Sequence, residues 1–202
     1  TEELVRPLLE KSGRVAGKDF YLAYAPERID PGNKDYSFTD IPKIVGGIDK
    51  KSTDLATVFY LTFLKQAYKV SSPRVAEFTK LLENIFRLVN VSAINELKLL
   101  AVKMDIDIWE AIEAAKTKPY GYMPFYPGPG VGGHCIPVDP FYLSWKAKEY
   151  GFFARFIELA GEINELMPHH VVTKVIWALN RAKKPLRGSR VLVLGVAYKK
   201  DI

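Results

Sequence analysis

The chain has 202 residues, of which 48% are hydrophobic and 26% are charged. That length lets one ordinary domain or two small ones bury a core without disulfides, and the composition excludes disordered and collagen-like architectures. The formal charge of +6 suits an anionic small substrate, and the scattered basic residues do not indicate a nucleic-acid partner. No apolar run approaches the roughly 18 residues of a membrane-spanning helix, and no secretion signal opens the chain. We therefore expect a cytoplasmic protein with no membrane contact, which a single cysteine also fits.

The first seventy residues predict the tail of an α/β layer. Apolar residues at helical spacing predict a short helix over residues 1–10. Apolar runs bounded by turn residues predict three short strands, at 20–24, 44–45 and 66–70. Before the last of these strands, a predicted helix over residues 49–64 carries on one side Leu55, Val58, Phe59 and Leu61.

A long helix is predicted after Pro73. Its apolar residues recur at helical spacing for about thirty residues, which corresponds to roughly 45 Å of helix. Because they occupy much of the circumference, we expect this helix to be buried between two domains or two subunits. Asp107 is the predicted N-cap of a shorter helix over residues 108–116. Residues 119–134 are rich in proline and glycine and predict a loop of a length that is usually functional.

The last part of the chain predicts two more helices and a strand. A helix over residues 139–150 is closed by Gly151, and another over residues 153–183 is expected to kink or break at Pro168. The apolar run over 189–194 is typical of the first, fully buried strand of a parallel sheet. Because such a strand needs partners and the chain ends eight residues later, we expect this sequence to be the middle of a longer protein.

The strongest chemical pattern lies in residues 128–139. Their four glycines would let the backbone approach a ligand and present N–H groups to it. Cys135 ends this loop just before a helix, where a thiol would have a lowered pKa and act as a nucleophile. An inert buried thiol is the commoner state of a single cysteine. Asp139, followed by proline, is an ordinary N-cap, and His134 has no second ligand at metal-binding spacing, so we expect no metal site.

Two further sets of polar residues are candidates for chemistry. Glu77, Lys80 and Asn84 share one face of the long helix, and the lysine and asparagine could donate to a developing oxyanion. An exposed polar stripe is the plainer interpretation of that face. Glu27 follows a predicted strand, where α/β sheets place ligand residues, and is either a general base or only a loop carboxylate.

Taken together, these motifs resemble the UDP-glucose/GDP-mannose dehydrogenase family of nucleotide-sugar 6-dehydrogenases. The resemblance runs over the whole chain and is carried by residues 25–32, 76–84 with 94–97, 128–143 and 195–200. Within the family, residues 132–142 resemble the branch that acts on UDP-N-acetylhexosamines. Residues 125–130 resemble the UDP-N-acetylglucosamine 6-dehydrogenases of that branch.

The resemblance implies an α/β fold in three parts. Residues 1–72 would be the end of an N-terminal NAD-binding Rossmann-like domain. Residues 73–165 would form a central all-helical domain that carries the cysteine loop and dimerises through the long helix. Residues 166–202 would begin a second Rossmann-like domain, which binds the UDP-sugar. The residues that hold the NAD cofactor would lie mostly outside this chain.

The resemblance also implies a reaction, namely the four-electron oxidation of the sugar C6 alcohol to a uronic acid for polysaccharide precursors. Cys135 would carry a thiohemiacetal and then a thioester. Lys80 and Asn84 would stabilise oxyanions, Glu27 would activate water, and Asp139 would assist that network. The substrate contacts that the resemblance implies are Arg28, Ile29, Tyr126, Gly128, Gly130, Gly132, Gly133, Tyr198 and Lys199.

Some features depart from the family pattern and keep alternatives open. The glycine-rich dinucleotide fingerprint is absent, so we do not expect this chain to turn over substrate by itself. No arginine lies between Arg87 and Arg155, so one that some members offer to the partner subunit's sugar has no match. The alternatives are the same chemistry on UDP-N-acetylmannosamine or UDP-glucose, and a non-catalytic helical dimerisation module.

Overall fold

A computed structural model of the chain describes residues 1–30, 32–195 and 197. The fold is mixed, with one small sheet and one long helix, and the chain divides into two compact units. The first unit takes in Thr1–Glu83 and the second begins at Asn84. Among the described residues, none of the helices combines the length and hydropathy that crossing a membrane requires.

The described residues of the first unit include a three-stranded sheet and the helices beside it. The elements before the long helix are α1 (Val5–Glu10), β1 (Ala23–Tyr24), a 3₁₀ turn (Phe38–Asp40), β2 (Lys43–Gly47), α2 (Lys50–Leu61) and β3 (Ala67–Lys69). Strand β2 is central, antiparallel to β1 and parallel to β3. The parallel pair is joined by α2, because parallel neighbours need a crossover connection. The predicted succession of strand, helix and strand is therefore confirmed.

Helix α2 packs on the sheet through small hydroxyl side chains. Its buried residues are Ser52, Thr53 and Thr57, whereas the apolar residues Leu55, Val58, Phe59 and Leu61 are 44–63% exposed. A Cβ on Gly47 would lie 2.4 Å from the Thr53 nitrogen, so strand and helix approach too closely for large side chains. The Thr53 hydroxyl oxygen accepts a hydrogen bond from the Gly47 N–H at 2.9 Å.

The long helix α3 spans Pro73–Lys103, begins in the first unit and continues into the second. Its 31 residues correspond to about 46 Å, as the sequence predicts. Helix α4 (Ile108–Lys116) follows, and the carboxylate of its predicted N-cap, Asp107, accepts a hydrogen bond from the Trp109 N–H at 2.9 Å.

The remaining helices of the second unit are α5 (Asp139–Ala147) and α6 (Arg155–Arg181). Between them a 3₁₀ turn, Lys148–Tyr150, ends at Gly151 in the left-handed conformation, as predicted. One cluster of the core is made by Leu88, Ile157 and Ala160, against which partly buried apolar residues pack, and a second is made by Ala101, Ile108 and Ile112. The ring of Phe141 on α5 fills the space beside Gly161 on α6, where a Cβ would lie 2.6 Å from its Cζ.

The end of the chain departs from two expectations. Helix α6 continues through Pro168, so of the predicted kink or break the break does not occur. The proline removes one helical hydrogen bond, to the carbonyl of Asn164. Residues 189–195 form no strand, since none of the described residues pairs with them, and the side chains over 191–194 are exposed. The domain boundary predicted at residue 166 falls inside α6.

Candidate active site

The loop between α4 and α5 is irregular, but aromatic contacts anchor its middle to both preceding helices. Phe125 packs edge-on against Phe86 of α3, with 5.7 Å between ring centroids. Tyr126 stacks on Trp109 of α4 at 5.9 Å, and its hydroxyl donates to Glu113 at 2.5 Å. That bond raises the pKa of Tyr126 and lowers the pKa of Glu113. The Tyr126 hydroxyl is therefore already engaged within the protein.

The glycines of this loop permit a close approach to α6. Gly130 has a φ of +122°, and a Cβ there would lie 3.1 Å from the carbonyl oxygen of Asn164. Gly133 also has a positive φ, of +85°. Between them, Val131 packs against the hydrophobic core, while Gly132 is exposed. Only glycine is free of strain at Gly130, so the loop's path depends on it.

Cys135 lies in the turn that leads into α5, and it is exposed. Its backbone carbonyl accepts hydrogen bonds from the N–H groups of Val138 at 3.2 Å and Asp139 at 2.8 Å. These backbone hydrogen bonds stabilise the turn and do not involve the Cys135 side chain, which is exposed. The thiol is therefore not buried, contrary to the commoner state of a single cysteine, and in this position it is accessible to an electrophile.

Asn84 and Asp139 are brought together by α3 and α5. The Asn84 amide nitrogen donates to Asp139 Oδ2 at 2.7 Å, and its oxygen accepts from Arg87 at 3.1 Å. Asn84 is only 1% exposed, so the plain interpretation of an exposed stripe is wrong for it. Asp139 is not the N-cap of α5, because Val138 occupies that position and the carboxylate turns to Asn84 instead.

Lys80 precedes Asn84 by one helical turn on α3 and belongs to the first unit. Its side chain is half-buried, and no other described residue forms a hydrogen bond or ion pair with its ammonium group. Sequence reasoning missed Arg87 as the partner of Asn84. The signal was available, because residues three apart on a helix are neighbours.

Glu27 lies in the first unit, in the loop after β1. Its Oε1 accepts from the backbone N–H groups of Arg28 at 2.7 Å and Ile29 at 2.8 Å, and its Oε2 accepts from Lys43 at 3.0 Å. Partial burial raises the pKa of Glu27, but the N–H groups and the Lys43 ammonium outweigh burial and lower it overall. Glu27 is therefore ionised, the state that a general base requires.

The other predicted site residues of the first unit differ in whether their side chains are available to contact a ligand. The Arg28 guanidinium contacts Glu83 through two nitrogens, at 2.9 and 2.6 Å, and donates to the carbonyl of Pro42 at 2.7 Å. These contacts fix the loop to its own unit and occupy all three guanidinium nitrogens. Ile29 has an exposed side chain. Tyr198 and Lys199 lie outside the described residues.

In the part of the chain that the structure describes, no group of three or more His, Cys, Asp or Glu side chains is arranged to hold a metal ion. The site residues divide between the units. Those of the first unit are Glu27, Arg28, Ile29 and Lys80. Those of the second are Asn84, Tyr126, Gly128, Gly130, Gly132, Gly133, Cys135 and Asp139.

Comparison with known proteins confirms the predicted family resemblance. Residues 74–166 match the central domain of the UDP-glucose/GDP-mannose dehydrogenase family. Protein CapL of Staphylococcus aureus is 41% identical over the whole chain, which covers 47% of that relative. The UDP-N-acetyl-D-glucosamine 6-dehydrogenase of Pseudomonas aeruginosa is 38% identical over the whole chain, which covers 48% of it.

Among solved structures, the UDP-N-acetyl-mannosamine dehydrogenase Cap5O from Staphylococcus aureus superimposes with a TM-score of 0.82 and 34% identity. That alignment covers all of this chain and 45% of the other. The chain therefore spans about half the length of the curated relatives that it matches.

Proposed function

Because residues 74–166 match the central domain of the UDP-glucose/GDP-mannose dehydrogenase family, we propose that the full-length protein belongs to it and oxidises C6 of a UDP-N-acetylhexosamine to the carboxylate. The observation that carries this proposal is the exposed Cys135 at the end of a glycine loop, just before α5. The product would supply polysaccharide precursors. We assign residues 1–72 to the end of one Rossmann-like domain and residues 166–202 to the start of another.

Cys135 is the proposed nucleophile. Its thiolate adds to the C6 aldehyde to form a thiohemiacetal, and loss of a hydride from C6 gives a thioester on the same sulfur. This covalent bond keeps the aldehyde from escaping between the two oxidations. The two oxidations together would consume two molecules of NAD⁺, bound in turn, each of which supplies a two-electron hydride acceptor. We assign no residue of this chain to holding the cofactor.

Lys80 and Asn84 are the proposed donors to the oxyanions that form at C6. The Lys80 ammonium has no partner among the described residues, so it retains its capacity to donate. The Asn84 amide is held by Arg87 on its oxygen and by Asp139 on one N–H, which leaves its second N–H for a substrate oxygen or a water. Asp139 thus acts by orienting the amide.

Glu27 is the proposed general base for hydrolysis of the thioester. Its lowered pKa keeps the carboxylate ionised, so it can take a proton from water as the water attacks the thioester carbonyl. The carbon–sulfur bond then breaks, which releases the uronic acid and returns the thiol. Lys43 and the two N–H groups of the loop hold the carboxylate in place.

Substrate binding and assembly complete the proposal. Ile29, Tyr126, the four loop glycines, Tyr198 and Lys199 would contact the UDP-sugar, and Arg28 would contribute by fixing its loop. Homodimerisation through α3 is supported by its exposed apolar residues, Phe78, Leu82, Leu97 and Leu100. Burial of such side chains against a second copy would be favourable.

The sugar proposed is N-acetylglucosamine. The loop sequence at 125–130 favours it, as does the name of the Pseudomonas aeruginosa relative. The N-acetylmannosamine epimer is the second candidate, because the Staphylococcus aureus structure carries that substrate in its name. The two sugars differ only in configuration at C2, so the choice depends on a few contacts in the glycine loop.

The test is the NADH formed per sugar consumed by the full-length protein, with UDP-N-acetylglucosamine, UDP-N-acetylmannosamine and UDP-glucose offered separately. We expect two NADH per molecule with the first sugar only. Cys135→Ala should abolish this, while Tyr68→Ala, which changes an exposed residue of β3, controls for handling and folding. Oxidation of the mannosamine epimer or UDP-glucose would overturn the sugar assignment. No NADH with any of the three would overturn the proposed function.

A further inference from the structure

A chain of buried polar side chains links the glycine loop to α3 and α6. We call Ser92, Asn95 and Asn164 the asparagine clamp; all three are at most 8% exposed. Asn95 Oδ1 accepts the N–H of Gly128 at 2.9 Å, and Asn95 Nδ2 donates to Asn164 Oδ1 at 2.9 Å. Asn164 Nδ2 in turn donates to Ser92 Oγ at 2.6 Å. The loop backbone is thereby connected to the helical core.

The direction of each hydrogen bond in the asparagine clamp follows from the groups around Ser92, at the end of the clamp that is farthest from the loop. The Ser92 hydroxyl oxygen lies 2.7 Å from the carbonyl of Leu88 and 2.9 Å from that of Ala160, which can only accept, so the hydroxyl donates there. Its oxygen therefore accepts from Asn164, and the Asn164 oxygen is turned to Asn95. The Asn95 oxygen is then left for Gly128. Each hydrogen bond in this series polarises the next one.

Asn164 also meets the loop at a second point. Pro168 has no N–H, so the Asn164 backbone carbonyl lacks the helical donor that it would otherwise have. Gly130 passes beside this carbonyl, where a Cβ would come within 3.1 Å. The loop is thus held at Gly128 by a side chain and follows α6 closely at Gly130.

We propose that Asn95 is a positioning residue for the active-site loop. It acts on the backbone at Gly128, and so sets the path of the chain toward Cys135. A fully buried asparagine could instead serve only the packing of α3 on α6. The two roles differ in where loss of Asn95 would raise hydrogen exchange most, namely in the loop or in the two helices. The catalytic consequence rests on the proposed function, since the loop is proposed to hold the sugar.

The test compares Asn95→Leu with Asn90→Ala in the full-length protein. Asn90 is a matched control, because it lies on the same helix and its side chain donates only to the Phe86 carbonyl. In Asn95→Leu, the hydrogen bond to Gly128 is lost, so amide hydrogen exchange over residues 125–135 should become about tenfold faster. The hydrogen bond to Asn164 is lost as well, so exchange in α3 and α6 should also rise, but by less than in the loop. KM for the UDP-sugar should rise and kcat should fall, while KM for NAD stays constant.

Asn95→Asp is a second variant that keeps the acceptor. A carboxyl group buried at this position is neutral, so one oxygen still accepts from Gly128 and the protonated oxygen donates to Asn164 Oδ1 in place of the amide, and the loop should keep most of its protection. The positioning role is overturned if Asn95→Leu leaves loop exchange unchanged, if exchange rises equally through α3 and α6, or if Asn95→Asp loosens the loop as much as Asn95→Leu. A loosened loop with unaltered kcat and sugar KM would also overturn it. Failure of the proposed function is distinct, because the wild-type protein would then oxidise none of the sugars while the exchange result still stood.

Discussion

Replacement of Gly161 by alanine is a sharp test of how α5 is seated on α6. In a solvent-exposed helix interior, glycine to alanine stabilises by about 0.5–1 kcal/mol. Here the new Cβ would lie 2.6 Å from Cζ and 3.0 Å from Cε1 of Phe141, so the ring must move. Overpacking of this kind costs about 1–3 kcal/mol. We therefore expect a net destabilisation of about 1 kcal/mol, opposite in sign to the helix propensity.

The measurement is native-state hydrogen exchange of α5 and α6 in the full-length protein, which reports the free energy of local opening. A loss of about 1 kcal/mol corresponds to roughly fivefold faster exchange. In a Phe141→Leu background the clash is absent, because leucine does not reach the Cζ position. There Gly161→Ala should slow exchange. Slower exchange in the wild-type background would refute the packing of Phe141 on Gly161.

Three other substitutions test the site residue by residue. Lys43→Met removes a cation from Glu27, so the pKa of Glu27 should rise and the acid limb of the kcat–pH profile should move to higher pH. Gly130→Ala should cost about 1–3 kcal/mol in thermal unfolding, because its φ of +122° strains any other residue. Asn84→Asp places a second carboxylate against Asp139, and the two repel each other once both are ionised, so thermal unfolding should show stability falling as pH rises.

Each of the three substitutions has a control substitution elsewhere in the same chain. Lys65→Met removes a lysine that pairs with Asp40 and should not shift the kcat–pH profile. Gly128→Ala adds a Cβ whose nearest neighbour is 3.8 Å away, so its stability cost should be much smaller than that of Gly130→Ala. Asn90→Asp should show no comparable loss of stability with rising pH. An unshifted profile for Lys43→Met, equal costs for the two alanines, or identical pH profiles for the two aspartates would contradict the respective contacts.

The contribution of the Glu27–Lys43 pair to stability changes with pH in a direction that follows from the pKa of Glu27. The pKa of Glu27 is lower in the folded chain than its ordinary value, so ionised Glu27 stabilises the fold above that ordinary value. This contribution is lost as pH falls through the lowered pKa. Lys43→Met should therefore weaken the first unit at neutral pH and leave its acid stability nearly unchanged.

Local patterns in the sequence predict most of the fold. The long helix α3, the N-cap of α4 and the turn at Gly151 depend on neighbouring residues only, and all three are confirmed. The packing face of α2 could not be predicted from periodicity, because it is set by how closely β2 approaches through Gly47. Pro168 shows the same limit, since the sequence rule allows a kink or a break and helix α6 is continuous there despite the lost hydrogen bond.

The candidate site shows a similar division between local and distant information. The exposure of Cys135 fits the loop and helix around it. The partner of Asp139 is Asn84, 55 residues earlier in the chain, and the partner of Glu27 is Lys43, 16 residues later. All four residues can be read from the sequence, but only the folded structure shows which of them pair with each other. A local rule assigns Asp139 to an N-cap, because an aspartate before a proline fits that position and its distant partner is not visible in the sequence.

The most direct test of the central claim is to detect a thioester on Cys135 by mass spectrometry during turnover. The full-length Glu27→Gln variant would be mixed with UDP-N-acetylglucosamine and NAD⁺, quenched in acid and digested. We expect the peptide that contains Cys135 to carry the uronyl group, and hydroxylamine to release it, because loss of the proposed base slows hydrolysis. No adduct on that peptide, together with two NADH per sugar from a Cys135→Ser variant, would contradict the covalent mechanism.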